Sequence, residues 1–493
     1  MEYITPEKAG ISSKKIEEFI RILESRNLNT HNIILSKGNQ IFYENYWTPF
    51  HKDFLHRMYS VSKSFVSLAI GFLWQDGIIG LDDKIGNYFQ EEIKKQTDEN
   101  MLNQTIRHML MMSTAKTDRW WFAAKPQDRV RYYFENDNPQ SRPSGTIYEY
   151  DSSGSFVLCA LVERLTQMEF MEYLRVKLFD KIGVSKEAYC LKCPGGHSWG
   201  DSGILCKPMD LWKVARFVLN KGKWNDEQIL SEEYITLATT KQIDNNSFGN
   251  VGPKTWGYGY QFWMTYQNSF FFNGMGCQYA ICVPEKDLIF VYNGDNQGNE
   301  YAQSVIIDNF FKIIVDECTD YELCENENNQ RLKEYSEGLS LCAAKGECFS
   351  NYEKQINDKM FVMDKNPMGI RTMKFSFFEN GGVLRYENTQ GEKELYFGRG
   401  KNEFGEFPEE GYSDEIGTVS SPGHKYRCAA SAAWIEAQKL YMKIQIIDKY
   451  FGNLNIIVGF FEDKLGVFMN KSAENFLDSY QGYATGRFKV DNK

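Results

Sequence analysis

Ser60 and Lys63 are the two residues of this 493-residue chain whose types and spacing best suit covalent chemistry. They open an apolar stretch that runs to Leu73, with its large side chains at helical spacing. Positions three apart on a helix share one face, so the hydroxyl and the amine can meet. A nearby amine can take the proton of a serine, and a helix start offers N–H groups to an oxyanion. The pair therefore predicts a nucleophilic site.

The bare Ser-x-x-Lys spacing is weak support by itself, because it occurs at Ser12–Lys15, Ser60–Lys63 and Ser113–Lys116. Ser12 precedes an amphipathic pattern, which predicts a helix cap and solvated lysines. Ser113 follows a short helical pattern and indicates a loop or helix end. Only Ser60 begins a long apolar helix that could bury its lysine, so we assign the nucleophile there.

Tyr150 is the second residue that could take part in the chemistry. It lies in a turn that starts at Gly145, ahead of a second apolar helix, and from there a phenol could point at the Ser60 helix. A tyrosine beside a lysine can donate a proton to a leaving group or act as a base. Tyr148 is a rival for this role, and aromatic packing is the alternative interpretation for both.

Composition excludes several classes of function. The net charge is −10, and no cluster of Lys and Arg suggests binding to nucleic acid. The first residues lack the apolar region of a secretory signal, and no run of about 20 apolar residues could span a membrane. Eleven irregularly spaced cysteines fit reduced thiols. We expect a cytoplasmic protein that acts on a small molecule and leave a homo-oligomer open.

Metal and cofactor motifs are incomplete. Cys190-x-x-Cys193, with His197 and Cys206 after it, lacks the second close pair of a zinc site, so buried thiols are the prediction. No phosphate-binding glycine loop follows a predicted strand. Two isolated carboxylates, Asp201 and Asp295, could orient a site, although such residues are usually solvated. We therefore expect no metal and no cofactor.

The order of elements predicts an α+β fold. A hairpin near 32–43 and strands near 270–292 flank a large helical insert, which favours an antiparallel sheet covered by helices. Residues 118–144 form an irregular segment of the kind that often walls a site. We predict a hydrolase-type domain at 1–318, an acidic linker at 319–339 and an all-β, barrel-like domain at 340–493.

Five ordered motifs resemble those of the serine β-lactamase-like family, which includes class C β-lactamases, penicillin-binding proteins and related esterases. They cover about residues 5–316 and are Tyr59–Ser64, Gly80–Asp83, Ile106–Ser113, Gly145–Ser152 and Gly274–Gln278. The resemblance implies a β-lactamase/transpeptidase-like fold. It also implies that Ser60 is acylated, that Lys63 is its base and that Tyr150 relays the proton. The C-terminal half is similar to the lipocalin-like domains of some members.

The same resemblance implies the residues that bind substrate and oxyanion. Phe272-Asn273-Gly274 corresponds to the third family motif, and the oxyanion would meet the N–H groups of Ser60 and Met275. The resemblance implies that Ser152, Gly274 and Met275 bind the substrate or its oxyanion. Ser152 stands where the family has an asparagine. Phe272 stands where the family has a cation for a carboxylate beside the scissile bond, so we expect matched neutral substrates to be preferred.

These observations predict a serine hydrolase that cleaves an ester or amide through an acyl-enzyme on Ser60. One alternative is a β-lactamase or a D-amino-acid peptidase or carboxypeptidase, which would turn over penicillin or a peptide-like substrate. Another is a binding protein that keeps this fold without catalysis, and a third is a scaffold governed by the C-terminal domain.

Overall fold

The computed structural model describes residues 2–94, 97–118, 120–124, 126–135, 141–246, 249, 252–410, 425–473 and 477–488. The chain forms two compact units, the first ending at Ser340 and the second beginning at Leu341. None of the helices in these parts of the chain combines the length and the apolar character that crossing a lipid bilayer requires.

Most helices of the first unit lie between its early and late strands. In chain order the helices of this unit are α1 Ser13–Ser25, α2 Ser62–Gln75, α3 Glu99–Leu102, α4 Ile106–Leu110, α5 Arg129–Glu135, α6 Ser152–Thr166, α7 Phe170–Leu174, α8 Asp180–Ile182, α9 Pro208–Leu219, α10 Glu232–Ala238, α11 Ala302–Asn309 and α12 Asn328–Glu337. Helix α2 is buried on every side from Ser62 to Leu73, as its continuous apolar sequence predicts. A 3₁₀ turn at Tyr59–Val61 leads into it.

The strands of the first unit form one main sheet and two small ones. They are β1 Glu2–Tyr3, β2 Thr30–Lys37, β3 Gln40–Tyr46, β4 His56–Arg57, β5 Tyr189–Cys190, β6 Ile204–Cys206, β7 Lys223–Trp224, β8 Glu227–Gln228, β9 Trp263–Thr265, β10 Ser269–Gly274, β11 Gln278–Val283 and β12 Leu288–Gly294. The main sheet has the order β1-β3-β2-β12-β11-β10-β9 and is antiparallel except for β1 with β3. The predicted pairing of early with late strands occurs between β2 and β12, for example Leu35 opposite Phe290.

One face of this sheet packs on the terminal helices. Phe19 of α1 meets Phe290 edge-on, and the ring of Phe290 stacks on Phe310, which follows α11. All three side chains are fully buried. The other face carries α9, whose Trp212 donates its indole N–H to Ser36 of β2 at 2.7 Å. The α+β architecture with its helical insert is therefore as predicted.

The segment 319–339, predicted to be a linker, contains a helix that belongs to the first unit. Helix α12 occupies residues 328–337 and packs on α1, with Leu332 buried in the same core as the residues of α1. Arg331 pairs with Glu17 at 3.1 Å, and Arg21 lies over the ring of Tyr335 at 4.2 Å. Most of the acidic residues that suggested a linker precede this helix and are exposed.

The second unit is a β-barrel. Its strands are β13 Met360–Met363, β14 Thr372–Phe378, β15 Gly381–Asn388, β16 Gly391–Arg399, β17 Glu403–Glu410, β18 Lys425–Glu436, β19 Lys439–Ile447, β20 Phe451–Phe461, β21 Lys464–Ala473 and β22 Gly482–Phe488, with a short helix α13 Glu353–Ile356 ahead of them. They follow the order β16-β15-β14-β13-β22-β21-β20-β19-β18-β17, and β16 pairs with β18 to close the ring, while β17 pairs with the outer part of β18. This agrees with the predicted barrel-like domain.

Candidate active site

The turn that carries Ser60 is held in an unusual backbone conformation. Tyr59 has a φ of 48°, a left-handed value that costs energy for a bulky residue. Its ring is fully buried under the guanidinium of Arg57, 4.7 Å from the ring centroid, and this packing holds the backbone there. Ser60 follows at the start of the helix and remains half-buried, whereas Val61 and Ser62 are fully buried. The turn thus presents one reachable hydroxyl.

Lys63 lies beside that hydroxyl. Its Nζ is 2.9 Å from Ser60 Oγ and donates to the backbone carbonyl of Asp201 at 2.7 Å. The side chain of Lys63 is fully buried, so little bulk water competes for the amine. The i,i+3 spacing that the sequence suggested therefore brings the predicted base and the predicted nucleophile into direct contact. A neutral amine in this position can accept the Ser60 proton while it keeps its bond to the Asp201 carbonyl.

Tyr150 also lies at this site. The Nζ of Lys63 is 5.1 Å from the centroid of the Tyr150 ring, and Tyr150 is half-buried. Tyr148, its rival, packs on Tyr258 with ring centroids 5.4 Å apart and on Trp263 at 6.3 Å. Burial raises the pKa of Tyr148 well above the ordinary value. Of the two phenols, Tyr150 is the one in contact with the lysine.

A short sheet brings Asp201 to Lys63. Strand β4 pairs with β6, and the N–H of Met58 donates to the carbonyl of Ile204 at 2.9 Å. Ser62 Oγ accepts from the N–H of the same isoleucine at 3.0 Å. These bonds fix the loop that ends at Gly203 over the start of α2. Asp201 was predicted to be a solvated carboxylate, as isolated carboxylates usually are. In the structure it is fully buried.

Burial of the Asp201 carboxyl raises its pKa to about 6, although the positive charge of Lys63 and the indole of Trp121 act in the opposite direction. Trp121 Nε1 donates to Asp201 Oδ2 at 3.0 Å. Arg129 lies over the Trp121 ring at 4.9 Å and donates to the Trp121 carbonyl at 2.6 Å. The irregular segment 118–144 was predicted to wall the site. Within its described part, Trp121 and Arg129 support the loop behind Lys63.

The end of β10 forms the opposite wall. Ser269, Phe270 and Phe271 pair with β9, but Phe272–Gly274 have no strand on that side in the described part of the chain. A β-carbon on Gly274 would lie 2.3 Å from the carbonyl oxygen of Met58. The strand end therefore touches the turn of Ser60, and only glycine allows this approach. The next residue, Met275, is 40% exposed at this edge.

Gln278, the last residue of the Gly274–Gln278 motif, holds the turn after β10, a role that the sequence did not predict. Its side-chain amide donates to the carbonyls of Met275 at 2.9 Å and Gly294 at 2.6 Å. Its Oε1 accepts from Asn293 Nδ2 at 3.1 Å. Both amide groups are fully buried, so they fix the backbone on which an oxyanion contact from Met275 would depend. The sequence pattern alone does not indicate that this glutamine is buried or that it binds the backbone of the neighbouring turn.

The remaining residues from the resemblance have different surroundings. Phe272 is fully buried and meets Phe262 edge-on with centroids 4.9 Å apart, so its ring belongs to the core. Asp151 is a buried helix cap that accepts from the N–H of Ser153 at 3.0 Å. Ser152 is the first residue of α6 and is half-buried. The helix start explains the Tyr-Asp-Ser sequence without a substrate contact from Asp151.

The sequence around the CxxC pair has a structural role. Cys190, Cys193 and Cys206 are buried thiols, and His197 Nδ1 lies 2.9 Å from Glu163 Oε2. Across the residues that the structure describes, no group of three or more His, Cys, Asp and Glu side chains is arranged to hold a metal ion.

Solved structures of known proteins share this fold. The octameric penicillin-binding protein homologue from Pyrococcus abyssi matches with a TM-score of 0.52 and 14% identity, over 96% of this chain and 99% of the other. EstCE1, described as a hydrolase with promiscuous acyltransferase activity, matches with a TM-score of 0.50 and 14% identity, over 61% of this chain and 98% of the other. At such identities the likeness establishes the fold alone.

Sequence comparison gives a relative and a family. The 6-aminohexanoate-dimer hydrolase of Paenarthrobacter ureafaciens is 22% identical over 253 residues, which are 48% of this chain and 64% of that protein. The chain thus spans less than two thirds of that relative's length. The family model named Beta-lactamase matches residues 18–304, more than half of the chain. With the motifs and the fold in agreement, this chain belongs to the beta-lactamase family.

Proposed function

We propose that this protein cleaves an ester or amide bond through a covalent acyl-enzyme on Ser60. The observation that carries the proposal is the 2.9 Å contact between Lys63 Nζ and the half-buried hydroxyl of Ser60 at a helix start. A serine needs such a base to attack a carbonyl at neutral pH. Family membership supports hydrolase chemistry, and the assignment of nucleophile and base rests on this geometry.

The reaction proceeds in two halves. Neutral Lys63 takes the Ser60 proton as Oγ bonds to the substrate carbonyl carbon, and the carbonyl oxygen becomes an oxyanion. The backbone N–H groups of Ser60 and Met275 are the proposed donors to it. When the tetrahedral intermediate collapses, the bond to the leaving group breaks and that group receives the proton through Tyr150. Water then attacks the acyl-enzyme by the same route, which frees the acid and restores Ser60.

Two observations bear on the bond that is cleaved. The relative from Paenarthrobacter ureafaciens is named as a hydrolase of the 6-aminohexanoate dimer. EstCE1, which shares the fold, is described as a hydrolase that also has acyltransferase activity. Both bond types therefore stay within the proposal. The β-lactamase or D-peptidase alternative predicts penicillin turnover, which the same preparation can be assayed for directly. A binding protein that keeps this fold without catalysis would leave every activated ester intact.

Burst kinetics test the acyl-enzyme. With p-nitrophenyl acetate we expect a rapid release of nitrophenol close to one equivalent of protein, followed by a slower steady rate. The burst requires that acylation be faster than deacylation, so intact-protein mass spectrometry of the quenched mixture is the decisive reading. A mass increase of one acetyl group on wild type, absent from Ser60→Ala, supports the proposal. Steady hydrolysis without any acylated protein in both preparations would refute it.

A further inference from the structure

Lys254 lies beside two packed aromatic residues of the site, Tyr150 and Trp263, which we call the aromatic wall. Its Nζ is 5.5 Å from the centroid of the Trp263 ring. The ring of Trp263 packs on Tyr150 with centroids 5.4 Å apart, and Tyr150 in turn meets the amine of Lys63. An ammonium group is thus separated from the proposed catalytic lysine by two aromatic rings. None of the roles described above uses this second lysine.

Lys254 differs from its neighbours because its charge is not paired. Within the described ranges of the chain, its Nζ makes no ion pair or hydrogen bond with a side chain, and it is half-buried. Lys241, whose side chain lies next to Gly257, pairs with Asp244, and Arg107 and Arg142 of the same unit pair with Asp82 and Glu149. Desolvation lowers the pKa of Lys254, with a smaller opposite effect from the Cys277 thiol. The environment therefore favours arrival of an anion.

The backbone at Lys254 is held by the side chain of Asn245. Asn245 Nδ2 donates to the carbonyl of Lys254 at 2.6 Å, and Asn245 Oδ1 accepts from the N–H of Gly257 at 2.8 Å. These bonds fix the point from which the side chain of Lys254 extends toward Trp263. Less backbone freedom is then lost when the side chain meets a ligand, which favours binding.

From these contacts we infer that Lys254 forms a subsite for a substrate carboxylate at the far end of the aromatic wall. The inference rests on the proposed function, because the ligand is a substrate of Ser60. Trp263 lies opposite Phe271, at the point where the pairing of β9 with β10 stops and the open edge Phe272–Gly274 begins. A linear substrate along this edge would have its scissile carbonyl at Ser60 and its distal end near Trp263 and Lys254.

The position of Lys254 determines which carboxylates fit. Two rings lie between it and Lys63, so a flexible spacer must separate the carboxylate from the scissile carbonyl. The expectation drawn from Phe272 concerned a carboxylate directly beside that bond, where the strand offers no cation. Both statements hold together. They describe a hydrolase that disfavours a proximal carboxylate and selects a distal one.

A series of paired esters tests the subsite. The substrates are mono-p-nitrophenyl esters of succinate, glutarate, adipate, pimelate and suberate, each compared with its methyl-capped, uncharged counterpart. We expect kcat/KM for wild type to favour the free carboxylate at the longer spacers by about tenfold or more, the usual worth of a charge-assisted hydrogen bond. Lys254→Met should bring that ratio close to one, and Lys254→Arg should retain most of it. Lys241→Met, an exposed and ion-paired lysine nearby, is the matched control.

The outcomes separate this inference from the proposed function. A ratio that Lys254→Met leaves unchanged overturns the subsite, as does an equal loss for charged and uncharged esters, which would indicate a structural role. Adipate binding to the Ser60→Ala protein, measured by calorimetry with and without Lys254→Met, does not depend on turnover. If no ester is hydrolysed but adipate binding requires Lys254, the proposed function fails and the anion site stands. Hydrolysis with no Lys254 dependence in either measurement removes the subsite alone.

Discussion

The side-chain amine of Lys63 donates to the backbone carbonyl of Asp201 at 2.7 Å. The same amine also lies 2.9 Å from Ser60 Oγ, so the lysine is held at two points rather than one. Because the Asp201 loop is itself bound to the Ser60 turn through Ile204, the proposed base and the proposed nucleophile are positioned by the same backbone. Preorganisation of this kind is what an acyl-transfer site needs.

Removal of the base is the first prediction. Lys63→Ala should lower turnover of an activated ester by about a thousandfold or more, because Ser60 then attacks without proton acceptance. Lys15→Ala changes the lysine of another Ser-x-x-Lys sequence, which pairs with Glu317 at 3.2 Å on the surface, and should leave kcat unchanged. Equal rates for the two variants would exclude Lys63 as the base.

The two tyrosines of the Gly145 turn give the second prediction. Tyr150→Phe should reduce kcat by about two to four powers of ten with little change in substrate binding, as expected for loss of a proton relay. Tyr148→Phe is the control, since its ring contacts Tyr258 and Trp263. Steady-state kinetics on both variants decide between them. A larger loss from Tyr148→Phe would mean that the relay is assigned two residues too late.

The close approach of Gly274 to the nucleophile turn gives the third prediction. A β-carbon there would lie 2.3 Å from the Met58 carbonyl oxygen, so Gly274→Ala must displace the strand end or the turn. We expect kcat to fall by about a hundredfold, the cost of a misplacement of about 1 Å in a catalytic geometry. Gly459→Ala, in the barrel, has no heavy atom within 4 Å of the added carbon and serves as the control. Unchanged kcat in Gly274→Ala would show that the turn does not depend on this contact.

Asp201 gives a prediction about pH and stability. Its pKa rises from 3.8 in the unfolded chain to about 6 in the fold, so the native state binds the proton more tightly. By linkage, the wild type loses on the order of 3 kcal/mol of stability from this group as pH rises from below 3.8 to above 6. Asp201→Asn keeps an acceptor for Trp121 and carries no charge. Its thermal midpoint relative to wild type should therefore rise with pH across that window.

One result would contradict the prediction for Asp201. A difference in thermal midpoint that stays constant from pH 4 to 8 would mean that Asp201 does not titrate there. Asp53→Asn is a suitable control, because its carboxylate is exposed and pairs with Lys207 at 3.0 Å. The Lys207 contact lowers the pKa of Asp53 below its ordinary value of 3.8, so the relative thermal midpoint of Asp53→Asn should stay constant from pH 4 to 8 and change only at lower pH.

How far the site could be predicted depends on the range of each interaction. Ser60, Lys63 and the helix that carries them follow from local periodicity, and the 2.9 Å contact needs only the geometry of one helical turn. Asp201 is brought to Lys63 by the pairing of β4 with β6, which lie far apart in the chain, and one sequence does not reveal it. Gln278 acts through side-chain bonds to the carbonyls of Met275 and Gly294, which no sequence pattern indicates. The composition of 319–339 misled because its exposed acidic residues are typical of a linker, whereas α12 has few buried side chains to mark it as part of the core. Lys254 has no distinguishing sequence pattern, because its surroundings, not its neighbours in sequence, set it apart.

Covalent capture of the nucleophile tests the central claim most directly. The intact protein is treated with a fluorophosphonate, digested and analysed by tandem mass spectrometry beside Ser60→Ala. We predict one phosphonylated residue in the wild type, on Ser60, and no adduct in the variant, because the contact with Lys63 activates that hydroxyl alone. An adduct on another residue at equal yield in both proteins, with Ser60 unmodified, would contradict the assignment of Ser60 as the nucleophile.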